Sequence, residues 1–190
     1  MLKKIGDNPH PSPRTPHLAS RPPQLTTRLA FFTAFAITIY VVESFIPRPL
    51  PFMKFGLSNI VILILLISWN FKSALIVAVA KTFIGGFFSG TFLSPTTLLS
   101  FSGSIVSLII MFLFLKVNIN FSVIGISIIG AVTHNISQLT VVRFVLIKEN
   151  TIFYLTPLLI LMGIVTGVIT GYIAKLFLDR FKGIYEERSN

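Results

Sequence analysis

Six apolar segments fill the sequence between residues 28 and 178, and only short polar stretches separate them. They run at about 28–46, 56–69, 73–92, 98–115, 121–147 and 153–178. The second segment is short, because a helix needs about 20 apolar residues to cross a bilayer. Hydrophobic residues make up 53% of the chain, more than a soluble domain of this length can bury. The sequence therefore predicts an integral membrane protein, an all-α bundle of six transmembrane helices.

The two ends of the chain differ in composition from the apolar region. Residues 1–27 contain six of the eleven prolines and two of the three histidines, and they lack the apolar run of a signal peptide. We assign no metal site to the histidines, His10 and His17. The predicted regions are a disordered, basic, proline-rich tail over 1–27, the transmembrane domain over 28–178 and a short tail over 179–190.

The distribution of lysine and arginine predicts the orientation. Eleven of the sixteen lie in or beside the two tails or in the connections at Lys72 and Lys116, whereas the opposite connections carry Arg48, Lys54 and Lys148. Cytosolic loops of membrane proteins are enriched in these residues, so both termini are predicted to be cytosolic, in a multi-pass protein of the cell membrane. Contact with the lipid bilayer accounts for the net charge of +10 without a nucleic-acid partner.

A polar break, PLPFMKFGLSN over residues 49–59, separates the first two apolar segments. Two prolines two residues apart prevent a continuous helix, so the chain must turn here at the membrane edge. Three polar residues mark the break: Arg48, Lys54 and Asn59. We interpret it as the rim of a binding site that opens to the outer side.

Two ionisable residues inside the apolar segments also indicate a site. Glu43 lies near the end of the first segment and Lys81 near the middle of the third. A charge at membrane depth is costly unless it faces water, an opposite charge or the protein interior. Lys81 is predicted to snorkel, to pair with Glu43 or to contact an anionic ligand.

The fifth segment is the most polar of the six. Ser127, Gly130, His134 and Gln138 recur every three or four residues and share one helical face, with Asn135 beside them. We expect this face to point inward, toward a polar pocket in the outer half of the bundle, and we rank Asn135 above Ser104 as a ligand contact. The candidate ligand-binding residues are Arg48, Lys54, Asn59, Lys81, His134, Asn135, Gln138 and Arg143.

Small residues indicate close helix packing at three places. The glycine-rich stretch 85–96 is consistent with either a cavity or tight packing. A row formed by Gly163, Gly167 and Gly171 predicts close contact within the bundle or with a partner. Ala30 and Ala34 lie one turn apart on one face of the first segment.

Three motifs, in this order and at these intervals, carry a family resemblance: PLPFMKFGLSN, SGTFLSP over 89–95 and GAVTHNISQL over 130–139. From Leu29 to Leu178 the chain resembles the Gx transporter family, which is also labelled heptaprenyl diphosphate synthase component I. That family is similar to the substrate-binding S components of energy-coupling factor transporters. The resemblance implies a six-helix protein that captures a small molecule from outside and docks on a transmembrane coupling subunit driven by two ATPases. It also implies that Ala30 and Ala34 contact that subunit.

The sequence lacks the residues that several enzymatic activities require. A prenyl diphosphate synthase binds Mg²⁺ and diphosphate with aspartate-rich clusters, whereas the only aspartates here are Asp7 and Asp179, one in each tail. No Walker motif and no cysteine occurs. We therefore predict no catalytic residues, no cofactor and no enzymatic activity.

The favoured function is that of a substrate-capture subunit for an anionic or carbonyl-rich small molecule, because cations and amides outnumber acids in the spans. One alternative is a non-catalytic membrane partner of a soluble heptaprenyl diphosphate synthase, or of flavin- or quinone-linked electron transfer. Another is a secondary carrier that uses Glu43 or His134 as a proton relay.

Overall fold

The computed structural model describes residues 23–47, 54–117 and 121–187, and this part of the chain contains helices and no strand. The bounds are Pro23–Phe45 for α1, Asn59–Ser68 for α2, Phe71–Phe88 for α3, Pro95–Lys116 for α4, Val123–Val145 for α5 and Thr156–Glu187 for α6. A short 3₁₀ helix, Asn150–Leu155, precedes α6. The predicted all-α class is confirmed.

Five helices, α1 and α3 to α6, are long and apolar enough to cross a membrane. The remaining helix, α2, has ten residues, a length of about 15 Å, which is half the thickness of the hydrocarbon core. Seven of its residues are buried, so α2 is apolar because the bundle surrounds it. The shortness that the sequence indicated for the second segment is thus real, and whether α2 counts as a sixth span stays a prediction.

Helix boundaries differ from the predicted ones where capping chemistry decides them. The first helix begins at Pro23 rather than at residue 28, since proline is accommodated in a first helical turn. The third begins at Phe71 because the Asn70 side chain accepts a hydrogen bond from the Ser73 amide at 2.8 Å. The last helix continues to Glu187, through charged residues that we assigned to a tail, and the 3₁₀ helix was missed.

The two ends of the bundle are distinguished by their connections. The upper end, as we name it, carries the α1–α2, α3–α4 and α5–α6 connections, and the lower end carries the α2–α3 and α4–α5 connections and the start of α1. Ring contacts at the lower end join Phe32 of α1 to Trp69 and to Phe177 of α6. The upper end is the one that the charge distribution predicts to face outside.

The tightest helix contact lies between α5 and α6. A Cβ atom added at Gly167 would lie 2.6 Å from the Cα of Ile128, and Gly163 and Gly171 lie as close to the α5 backbone one turn away on either side. We call this contact the glycine seam. The glycine row therefore serves packing within the bundle, the first of the two predicted alternatives.

Candidate functional site

The second half of the polar break folds back into the bundle. We call residues Lys54–Asn59 the central segment. Lys54 and Ser58 are 3% and 1% exposed, and Gly56 is also buried. Gly56 has a φ of 77°, and a Cβ there would lie 3.1 Å from the His134 ring. A glycine suits this position, because a side chain would be strained at this φ and would force the Asn59 and His134 side chains to shift.

Asn59, the first residue of α2, joins four helices. Its Oδ1 accepts hydrogen bonds from Lys81 Nζ at 2.5 Å and from Ser104 Oγ at 3.3 Å. Its Nδ2 lies 3.1 Å from Nδ1 of His134. The side chain thereby links α2 to α3, α4 and α5.

Lys81 is buried, with 1% of its surface exposed. Besides Asn59, its Nζ donates to Ser58 Oγ at 2.8 Å. Both of these acceptors are neutral, so a hydrogen bond to Glu43, one of the three predicted alternatives, is not what holds the ammonium group. Neutral partners of this kind cannot offset the charge of a protonated lysine.

Two further charged residues link the end of α1 to the central segment: Glu43 of α1, and Lys54 of the segment itself. Glu43 is 1% exposed, and its Oε1 accepts a hydrogen bond from the Gly56 amide at 2.6 Å. The Nζ of Lys54 lies 3.3 Å from the centroid of the Tyr40 ring and donates to Ser44 Oγ at 3.1 Å. The end of α1 therefore holds the central segment through a carboxylate and an aromatic face.

On α5, the predicted inward face is confirmed, since Ser127, Gly130, His134 and Gln138 are all buried. Gln138 Nε2 lies 3.0 Å from Nε2 of His134, while Gln138 Oε1 has no hydrogen-bond partner in the described part of the chain. On α4, a Cβ at Gly103 would lie 2.7 Å from the imidazole. The ring is thus in close contact with Gly56, Gly103 and the side-chain amides of Asn59 and Gln138.

These residues form one polar cluster: Glu43, Lys54, Ser58, Asn59, Lys81, Ser104, His134 and Gln138. Lys81 lies seven residues before the end of α3 and His134 eleven before the end of α5, about 10 and 16 Å below the upper end. Lys81 and His134 therefore lie near the middle of α3 and α5, whereas Glu43 lies near the end of α1. The cluster contains two lysines and one carboxylate, and buried charges of this kind in a membrane protein are a mark of function.

A cavity of about 20 Å³ adjoins the cluster, with room for one water molecule. Hydroxyl and amide groups form part of its lining: Asn59, Ser107, Ser127, Thr166 and Thr170. The polar side chains of the cluster thus bind mainly to one another in this conformation.

A family model described as heptaprenyl diphosphate synthase component I matches residues 32–177. The chain belongs to this family. The family label that the three motifs suggested is therefore confirmed, whereas the similarity to S components stays a prediction. No curated protein and no solved structure matches the chain. The component I match includes every residue of the polar cluster.

Two predicted site residues of this component I protein lie apart from the cluster, and a third is outside the described residues. Asn135 Nδ2 donates to the Leu159 carbonyl at 3.0 Å, so this amide joins α5 to α6. Arg143 Nε donates to Asn150 Oδ1 at 2.9 Å, and it lies about 14 Å beyond His134 along α5. Arg48 lies outside the described residues.

Ala30 and Ala34, also proposed from the resemblance, are exposed on α1. Phe31 and Phe35 beside them are 67% and 49% exposed. The face is accessible to lipid or to a partner helix, and its docking role stays a prediction for this component I protein.

Sequence reasoning missed three features of the cluster. Ser58 and Ser104 supply hydroxyls, and the Gly56 amide is the group that the Glu43 carboxylate accepts from. The sequence did draw attention to Gly56 and Ser58, because both lie in the polar break PLPFMKFGLSN. Ser104 had no such signal, because it is one of several serines along α4.

The glycine-rich stretch 85–96 leads to a separate groove of about 370 Å³ at the upper end, between α3, α4 and α5. Its lining is mostly apolar: Phe83, Phe92, Leu93, Leu98, Phe101 and Val145. Within the stretch, a Cβ at Gly85 would lie 2.5 Å from the Tyr40 ring. Both predicted roles, packing and a cavity, are therefore present in different parts of the stretch, and the groove is not polar.

Proposed function

We propose that this protein is a membrane subunit that binds an anionic small molecule at the polar cluster, in the manner of a transporter's substrate-capture component. The observation that carries the proposal is the burial of Lys54 and Lys81 in a cluster with a single carboxylate, Glu43, with Lys81 near the middle of a membrane-length helix. An uncompensated cation is costly in a low-dielectric interior, so a bound anion would stabilise this arrangement.

The start of α2 adds to the attraction for an anion. This helix begins at Asn59, whose side chain contacts α3, α4 and α5, so the N-terminus of α2 lies inside the bundle. The N-terminus of a helix carries partial positive charge, and broken helices in transporters direct such ends at anionic substrate groups. Asn59, Ser104 and His134 supply hydrogen-bonding groups at the same point.

Access and coupling complete the proposal. The bundle is taken to have six spans with α2 included, cytosolic termini, and a polar pocket in the outer half that forms when the central segment moves. Energy for release would come from a transmembrane coupling subunit with ATPases, docked on the exposed Ala30 and Ala34 face of α1. The chain itself is proposed to be non-catalytic.

A second candidate is favoured by the family description itself. A component I protein would, on this view, be the non-catalytic membrane partner of a soluble heptaprenyl diphosphate synthase. That role requires a surface for the synthase, and it gives no reason for two lysines to be buried in the bundle.

Native mass spectrometry of the purified protein tests the choice. Small-molecule capture predicts a retained anion in wild type that is lost when a buried lysine of the cluster is removed. Co-purification of a soluble prenyl synthase, with no retained small molecule, would instead support the second candidate. Uptake that depends on a proton gradient and needs no ATPase would contradict both and favour a secondary carrier.

A further inference from the structure

The carboxylate of Glu43 is buried although the residue lies close to the end of a helix. Glu43 is two residues before the end of α1 and 1% exposed. One oxygen accepts the hydrogen bond from the Gly56 amide, and the other, Oε2, has no hydrogen-bond partner among the described residues. An ionised carboxylate accepts about four hydrogen bonds, so burial leaves most of this capacity unused. Such a group is held at a cost and can be replaced.

Gly56 connects this carboxylate to the polar cluster. A Cβ at Gly56 would lie 2.9 Å from Asn59 Nδ2 and 3.1 Å from the His134 ring. The amide bonded to Glu43 therefore belongs to the residue that packs directly on the Asn59 and His134 pair. A short turn, in which the backbone N–H of Asn59 donates to the Gly56 carbonyl at 2.8 Å, fixes the backbone there independently of Glu43.

We propose that the Glu43 carboxylate occupies the position of the ligand's oxyanion, and that a ligand with a carboxylate or phosphate group binds by displacing it from the Gly56 amide. This inference rests on the proposed function and adds to it the chemical class of the ligand and the way it enters.

Charge balance gives the reason for displacement. With Glu43 in position, one carboxylate faces two lysines, and an incoming oxyanion would be repelled by it at close range. Once Glu43 moves away, the ligand accepts the hydrogen bond from the Gly56 amide and lies near both lysines. The residues that follow Glu43 are exposed at the end of α1, with Phe45 at 79%, so the carboxylate has room to move out of the cluster.

Thermal unfolding of the purified full-length chain, with acetate or inorganic phosphate as the probe, tests this inference. Chloride keeps the ionic strength constant, and the rise of the unfolding temperature with probe concentration reports the affinity. Glu43→Gln is expected to bind at least one of the two probes at least tenfold more tightly than wild type. Glu43→Ala is measured in parallel in case the glutamine variant does not fold. Glu149→Gln is the matched control, because Glu149 is exposed in the upper connection and should leave the affinity unchanged.

The outcomes separate the two proposals when Lys81→Met is included. A response to acetate alone would identify a carboxylate ligand, and a response to phosphate alone would identify a phosphate ligand. Either response supports the inference if Glu43→Gln strengthens the binding of that probe and Lys81→Met abolishes it. If the response depends on Lys81 but is unchanged or weaker in both Glu43 variants, displacement is overturned and anion binding stands. If the probes stabilise Lys81→Met as much as the wild type, or stabilise neither, anion binding at this cluster is overturned as well.

Discussion

The glycine seam and the polar cluster both bury hydrogen-bonding groups, but they satisfy them in different ways. In the seam, Thr166 and Thr170 donate to the carbonyls of Met162 and Thr166 at 2.8 Å, and Ser127 lies 2.9 Å from Thr170. All of these groups are neutral, and the glycines allow the backbones to approach. The seam is therefore a packing contact with its polar atoms paired locally.

In the polar cluster, by contrast, the polar atoms are not all paired with nearby groups. It contains charged groups from α1, α3 and the central segment, and Glu43 Oε2 is buried without a hydrogen-bond partner among the described residues. A structural contact has no need for such costs, whereas a binding site retains them for its ligand. Burial of polar groups alone therefore does not identify a binding site, whereas the way in which those groups are paired distinguishes the two regions.

The largest effect is expected in the seam. Gly167→Ala places a methyl group 2.6 Å from the Cα of Ile128, and backbone cannot yield as a side chain can. We expect a loss of up to about 3 kcal/mol in the free energy of unfolding. Gly125→Ala is the control, since its nearest neighbour lies at 3.4 Å and alanine favours a helix. Thermal unfolding in detergent measures both, and equal stabilities would refute the role of the seam.

The position of the central segment gives the next largest effect. The chain has no cysteine, so a single introduced thiol can be followed. Ser58→Cys, at a site that is 1% exposed, should react at least tenfold more slowly with a membrane-impermeant maleimide than Thr151→Cys, which is exposed at the upper end. Equal rates in intact vesicles would show that the segment lies at the surface and not inside the bundle.

The smallest effect separates two hydrogen bonds. Asn135→Ala removes a bond to the Leu159 carbonyl, so it should lower the free energy of unfolding by about 1 kcal/mol and leave ligand affinity unchanged. Ser104→Ala removes a bond to Asn59 and should weaken ligand binding by about fivefold. The sequence ranked these residues in the opposite order. A larger loss of affinity in Asn135→Ala would restore that ranking.

The class of fold and the inward face of α5 could be predicted from the sequence because both depend on local periodicity and apolar length. The shortness of the second segment likewise predicted the ten-residue α2. The contact between Glu43 and Gly56 could not be predicted, since it joins residues thirteen apart through a turn of the backbone. Asn135 lies apart from the cluster because adjacent helical residues differ in direction by about 100°, so its neighbour His134 faces the cluster while Asn135 faces α6.

The most direct test of the central claim is the affinity for a bound anion when Lys81 is replaced by methionine, with Lys72→Met as the control. Both residues lie on α3, but Lys81 is buried in the cluster and Lys72 is exposed at the lower end. Anion binding by the cluster predicts at least a tenfold loss of affinity in Lys81→Met and wild-type affinity in Lys72→Met, measured by titration of the anion identified in native mass spectrometry. Equal affinities in the two variants would contradict the claim.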